Sequence, residues 1–145
     1  MLDLDEMGYN DVLYWSRRAM KRFKLGGFLV LESSPGCYHV VFDRKVDWSE
    51  NMRTVAWVAL LSKRGNLRRW FLMQCIKQKP TLRVSKKHEL GGKLKLSPRI
   101  VHREGTQNNE IAEYFLFREL IFNISKNFNN SIQSCKVFYV FKTKQ

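Results

Sequence analysis

Residues 28–42 read Phe-Leu-Val-Leu-Glu-Ser-Ser-Pro-Gly-Cys-Tyr-His-Val-Val-Phe. Phe28–Glu32 is a short apolar run suited to a buried strand. Ser33-Ser34-Pro35-Gly36 has turn composition, because Pro pre-sets its φ and Gly tolerates positive φ. Tyr38–Phe42 is the returning strand, so the stretch predicts a β-hairpin. Side chains alternate along a strand, which puts His39 and Val41 on one face and Tyr38 and Val40 on the other.

Upstream, Met1–Asp5 alternates apolar and acidic residues at strand period. Asn10–Lys24 has helical period, with Val12, Trp15, Ala19 and Phe23 on one stripe, and Gly26-Gly27 ends it. Downstream, Asp47 caps a helix with Glu50 at the capping-box position. That helix carries Met52, Val55, Ala56, Ala59 and Leu60 and ends near Gly65. Trp70–Ile76 is apolar and short enough for a strand, although its length also admits a helix. Thr81–Ser85, Arg99–Arg103 and Lys136–Lys142 have strand character. Asn109–Ser125 predicts a helix, apolar around most of its circumference and therefore buried on most sides.

The first eighty residues thus predict β-α-β-β-α-β, an RRM-like or ferredoxin-like unit of the α+β class. Residues 81–145 complete it with an added helix and strands. The 145 residues suit a single domain, and 44% hydrophobic content supplies a core. No apolar run approaches the roughly 20 residues that span a bilayer. The acidic opening, MLDLDEMGYND, has no signal-peptide character. Cys37, Cys75 and Cys135 are odd in number and widely spaced, which suits reduced thiols and an intracellular, cytoplasmic chain.

Charge is the strongest compositional feature. Lys and Arg number 26 against 13 acids, a net of +13. Residues 1–52 hold eight acids and seven bases, whereas residues 63–103 hold thirteen bases and one acid, Glu89. Such a field attracts a polyanion. Nucleic acid is favoured over a membrane surface, since no basic amphipathic helix stands apart from the fold. Within the basic stretch, Arg68, Arg69, Lys87, Lys93, Lys95 and Arg99 are the candidate backbone contacts.

Three groups of residues could carry chemistry. Asp3 and Asp5 share one strand face, backed by Leu2 and Leu4, and two carboxylates so placed can converge on Mg²⁺ or Mn²⁺. His39, beyond the small-residue turn, could donate to a phosphate, and Ser34 in that turn is a further phosphate-binding candidate. Arg83 and Ser85 share a face, with Lys86 following, a set suited to a triphosphate.

The order LDLD, then SSPGCYHVV, then TLRVSKK resembles the archaeo-eukaryotic primase superfamily of plasmid and viral primase–polymerases across residues 1–90. The family has an RRM-like core with a hydrophobic-DxD strand and an SxH motif. The resemblance implies a nucleotidyltransferase acting in DNA replication, with metal on Asp3 and Asp5 and nucleotide phosphate on His39, Arg83 and Lys86. Its partners would be DNA rather than RNA and nucleoside triphosphates. Cys37 stands where the motif has serine, and no third acidic motif precedes TLRVS. Glu32, Asp43 or a partner would have to complete the charge. A diverged, inactive relative is thus one expectation. Another is a non-catalytic RRM-like module stacking single strands on Trp70, Phe71 and Tyr38. An adaptor of a replication complex, docking through the 109–125 helix, is a third.

Overall fold

The computed structural model describes residues 1–78, 81–83, 87–88, 94–95, 98–127 and 138–140. Along the chain these form β1 (Leu2–Asp3), α1 (Tyr9–Arg22), β2 (Phe28–Ser34), β3 (Cys37–Phe42), α2 (Trp48–Leu61) and α3 (Gly65–Lys77). There follow β4 (Thr81–Arg83), β5 (Lys87–His88), β6 (Leu94–Lys95), β7 (Arg99–Glu104), α4 (Glu110–Asn127) and β8 (Phe138–Val140). The architecture is α+β, built on a four-stranded antiparallel sheet in the order β1-β3-β2-β7. Two small strand pairs, β4 with β8 and β5 with β6, accompany it.

The hairpin of residues 28–42 is the middle of the sheet. Phe28 opposes Phe42, Val30 opposes Val40 and Leu31 opposes His39. Ser34 and Cys37 close a two-residue loop, Pro35-Gly36, with Gly36 at φ 75°. Pro followed by a positive-φ Gly suits a type II turn. That turn matches the right-handed twist of paired strands poorly, and the register shifts between Glu32 and Ser34 beside it.

β1 pairs with β3, Leu2 opposite Val40 and Asp3 opposite His39. The backbone contacts continue beyond the strand. The Leu4 N–H donates to the Tyr38 carbonyl at 2.7 Å and the Glu6 N–H to the Gly36 carbonyl at 3.1 Å. β1 and β2 are both antiparallel to β3, which lies between them, so the expected β-α-β-β portion is present.

The rest of the expected βαββαβ order is corrected. Residues 70–76 are helical, within α3, and the fourth strand of the sheet is β7, paired with β2. Leu67 and Gln74 are buried while Trp70 and Phe71 pack against the core, an i, i+3, i+4, i+7 stripe of helical period. The helix ends at Gln78, which is left-handed at φ 54°.

Both faces of the sheet are covered. On one, Leu2, Leu4, Phe28, Val30, Val40 and Phe42 pack with Val12, Ala19, Val55 and Val58 of α1 and α2. On the other, Leu29, Leu31 and Val41 pack with Ile111, Tyr114 and Ile121 of α4. Fully burying such side chains stabilises by about 1.5–3 kcal/mol each. The two faces follow from the period-2 alternation of β2 and β3, whose residues are apolar in both registers.

Asp43, just after β3, docks α4. Its carboxylate accepts from the backbone N–H groups of Asn108 (2.9 Å), Asn109 (3.0 Å) and Ile111 (3.0 Å). These groups lie at the start of α4, where N–H groups have no partner within the helix. At the start of α2, Asp47 accepts from the Glu50 N–H at 2.7 Å. The Glu50 side chain pairs with Arg44. The expected cap is present, with Glu50 turned to a neighbouring arginine.

Over residues 110–121, α4 is not buried on most sides, contrary to its composition. Ile111, Tyr114 and Ile121 face the sheet, while Leu116 and Leu120 are exposed. An apolar circumference permits burial all round, but a single sheet face covers only one side of a helix. No described helix is long and apolar enough to cross a membrane.

Candidate functional site

β1, its continuation and β3 bring Asp3, Asp5 and His39 together. One ligand atom from each lies within 4.8 Å of the other two. Their elements explain the meeting. Leu2 and Leu4 are fully buried on the α1/α2 face, which turns Asp3 and Asp5 to the opposite face. Asp3 stands directly across from His39, and the His39 Nδ1 is 3.6 Å from Asp3 Oδ1. The Pro35-Gly36 turn, tied to Glu6, holds the residues after β1 against the hairpin.

This corner of the sheet is only partly open to water: the side chains of Asp3 and His39 are 20% and 17% exposed. Burial raises the Asp3 carboxyl from 3.8 to about 6, against the lowering effect of its hydrogen bonds with Asp5. Burial also raises Asp5 to about 6, and the adjacent Asp3 charge adds to the rise, opposed by His39 and by the Cys37 thiol. Asp3 Oδ1 and Asp5 Oδ1 are buried atoms without a hydrogen-bond partner among the described residues. A carboxylate oxygen buried without a donor is costly. A divalent cation beside it would remove that cost and favour the ionised form.

Two carboxylates and an imidazole form a donor set for a small divalent cation. Their separation is close to that of ligands sharing one ion. The residues present therefore fit such a group. Cys37, in the place of the motif serine, shares the face of His39 and its thiol hydrogen-bonds to Asp5. Its proximity to the acids follows from β1–β3 pairing, which spacing along the chain does not reveal.

The remaining acids do not join the group. Glu32 points to the α1/α2 face, where it pairs with Arg99, the Arg99 Nε to Glu32 Oε2 distance being 2.7 Å. Asp43 is committed to the start of α4. Burial pulls the Asp43 carboxyl upward, but its hydrogen bonds with Ile111, Asn109, Asn108 and Thr106 outweigh that and hold it below the ordinary range. Neither supplies the third carboxylate.

Ser34 is at the end of β2, paired with Cys37 across the turn. Arg83 lies in β4, Lys87 in β5 and Lys95 in β6. Ser85, Lys86 and Lys93 fall outside the described residues. Arg68 and Arg69 are exposed on α3, where the Arg68 Nε donates to the Ala59 carbonyl at 3.3 Å. Arg99 is exposed but paired with Glu32. Trp70 and Phe71 sit on a helix, and Tyr38 faces the helix-covered side, all three packed against the first core. They do not form a stacking platform on the sheet, because strand aromatics there are consumed by packing.

The near-neutral total of residues 1–52 conceals a locally basic stretch. Residues 12–31 contain five bases and no acid. Asp11 and Glu32 bracket the stretch, and the other acids of residues 1–52 lie at 3–6 and 43–50. Window-by-window counting would have found it.

No protein-family model, no curated protein and no solved structure matches this chain.

Proposed function

We propose that this chain is a primase-type nucleotidyltransferase domain, acting on nucleic acid in DNA replication with a divalent metal. The observation that carries this reading is the convergence of Asp3, Asp5 and His39 on one face of the sheet, within 4.8 Å of one another. The order of motifs resembling the primase superfamily supports it.

In this reading Asp3 and Asp5 hold Mg²⁺ or Mn²⁺, with the imidazole favouring Mn²⁺. The metal supplies positive charge against the phosphates of a nucleoside triphosphate. Asp3 and Asp5 also exclude other anions until they are neutralised. His39, fixed by its pairing opposite Asp3, orients a phosphate or completes the ligand set. Arg83, Ser85 and Lys86 steady the triphosphate, and Arg68, Arg69, Lys87, Lys93, Lys95 and Arg99 contact nucleic-acid backbone. The contribution of the chain is mainly positioning and charge stabilisation.

A second reading is favoured by one observation: Glu32 and Asp43, the acids expected to supply a third carboxylate, are engaged elsewhere. It makes the domain a diverged relative that binds nucleic acid without chemistry. One assay separates the two. Purified protein receives a single-stranded template, nucleoside triphosphates and Mn²⁺. Incorporation that is lost in Asp3→Ala and Asp5→Ala supports the enzyme. Nucleic-acid binding without incorporation, unchanged by those substitutions, supports the binding module.

A further inference from the structure

We infer that the outer face of α1, on the far side of the sheet from the Asp3–Asp5–His39 group, is a binding site for single-stranded nucleic acid. Tyr14, Arg18 and Lys21 lie at i, i+4 and i+7, and Trp15, Arg18 and Arg22 at i, i+3 and i+7. Tyr14, Arg18, Lys21 and Arg22 therefore share the outer side of the helix, and Trp15, packed against the core, borders it. Tyr14 is 50% exposed, and Arg18, Lys21 and Arg22 are exposed.

The centre of this face is pre-organised. The Arg18 guanidinium lies 5.5 Å from the centroids of both the Tyr14 and Trp15 rings and 5.6 Å from that of Trp57 on α2. Its Nη1 donates to the Tyr14 hydroxyl at 2.7 Å. An arginine has five N–H donors, so this contact leaves several for phosphate. Held between rings, the side chain has less freedom to lose on binding.

Charge selects the occupant. Residues 12–31 carry no acid, and the one acid of α1, Asp11, is matched by Arg64 of α3 at 3.1 Å. Lys21 and Arg22 have no ion-pair partner among the described residues. Placement in the last turn gives such bases a small helix-dipole benefit, but that benefit does not require an exposed tyrosine stacked with arginine. Basic side chains that track a phosphate backbone beside an aromatic ring that accepts a base are what single strands require. The sheet does not offer this, since both its faces carry helices.

The test is fluorescence anisotropy of a labelled thymidylate 12-mer with the full chain, read across a salt series. Lys21→Glu with Arg22→Glu should weaken binding about tenfold or more and flatten the log–log salt slope by about 1.4, at about 0.7 per phosphate contact. Lys45→Glu with Arg103→Glu makes the same net charge change on other faces and should have much less effect. Tyr14→Ala, at an exposed site, should weaken binding and reduce the quenching of tryptophan fluorescence by the oligomer. Binding is read in a chelator with no nucleoside triphosphate, so failure of the metal reading and failure of this one are separately visible. Equal loss in the two charge-reversed pairs, or wild-type binding by Lys21→Glu with Arg22→Glu, overturns the proposal. So does binding to phosphatidylserine vesicles with none to the oligomer.

Discussion

Replacing Asp3 with Asn should stabilise the metal-free protein, and the size of the gain follows from the structure. The Asp3 carboxyl rises from 3.8 in the unfolded chain to about 6 in the folded one, because burial disfavours its charge. A raised carboxyl contributes stability that is fully present below pH 3.8 and is lost as the pH climbs through 6. At about 1.4 kcal/mol per pH unit, ionised Asp3 then costs the fold about 3 kcal/mol. Its side chain is 20% exposed, so little of that cost is relieved by water. Asp5 responds in the same direction, and its coupling to Asp3 makes the two costs inseparable. Urea unfolding in the presence of a chelator, from pH 4 to pH 8, gives the comparison. Asp3→Asn should exceed wild type by about 3 kcal/mol at pH 8, and the two curves should converge near pH 4. Mn²⁺ should reverse the ranking. For a site with Kd of about 1 μM, a thousandfold excess adds about 4.1 kcal/mol to wild type, more than the deficit of about 3 kcal/mol, and the variant should gain little. A pH-independent difference, or a variant no more stable than wild type at pH 8, would refute the reasoning that these carboxylates are held together at an electrostatic cost.

Four further outcomes are expected. Asp43→Ala should lose about 2–4 kcal/mol by urea unfolding, because it leaves backbone donors at the start of α4 without an acceptor. The Asp43 carboxyl is held low, so its contribution is present above the ordinary carboxyl range and fades as pH falls through its folded value. Asp43→Asn should accordingly flatten the acid limb of the stability curve. Gly27→Ala should sharply lower the melting temperature, since a Cβ there would lie 2.0 Å from the Thr106 carbonyl oxygen, a backbone atom that cannot move aside. His39→Ala should weaken the Mn²⁺-induced rise in melting temperature more than any Mg²⁺-induced rise, because imidazole is a poor partner for Mg²⁺; equal losses for both ions would remove His39 from the ligand set.

Several of these features were legible along the chain. The hairpin could be read from apolar runs flanking Ser-Ser-Pro-Gly, and the opposed directions of Leu2/Leu4 and Asp3/Asp5 from simple alternation. The Asp47 cap could be read from its spacing to Glu50. Failures came where the answer depended on a window boundary or a distant partner. Trp70–Ile76 looked like a strand because its seven residues are mostly apolar. Beginning at Leu67 shows the helical stripe of 67, 70, 71 and 74. Nothing near Glu32 announces Arg99, and nothing near Asp43 announces the start of α4, since both partners are more than sixty residues away.

The sequence by itself determined the local elements around the hairpin, the surplus of positive charge and the residue types able to hold a cation. These depend on periodicity, turn chemistry and composition, all of which act over a few neighbouring residues. Tertiary structure decided which of those residues meet. Pairing of β1 with β3 set Asp3 across from His39, and pairing of β2 with β7 drew Glu32 to Arg99. Docking of α4 consumed Asp43 and covered the second face of the sheet. Strand register and helix docking are settled by burial of apolar faces between segments far apart in the chain, and no local pattern carries that information.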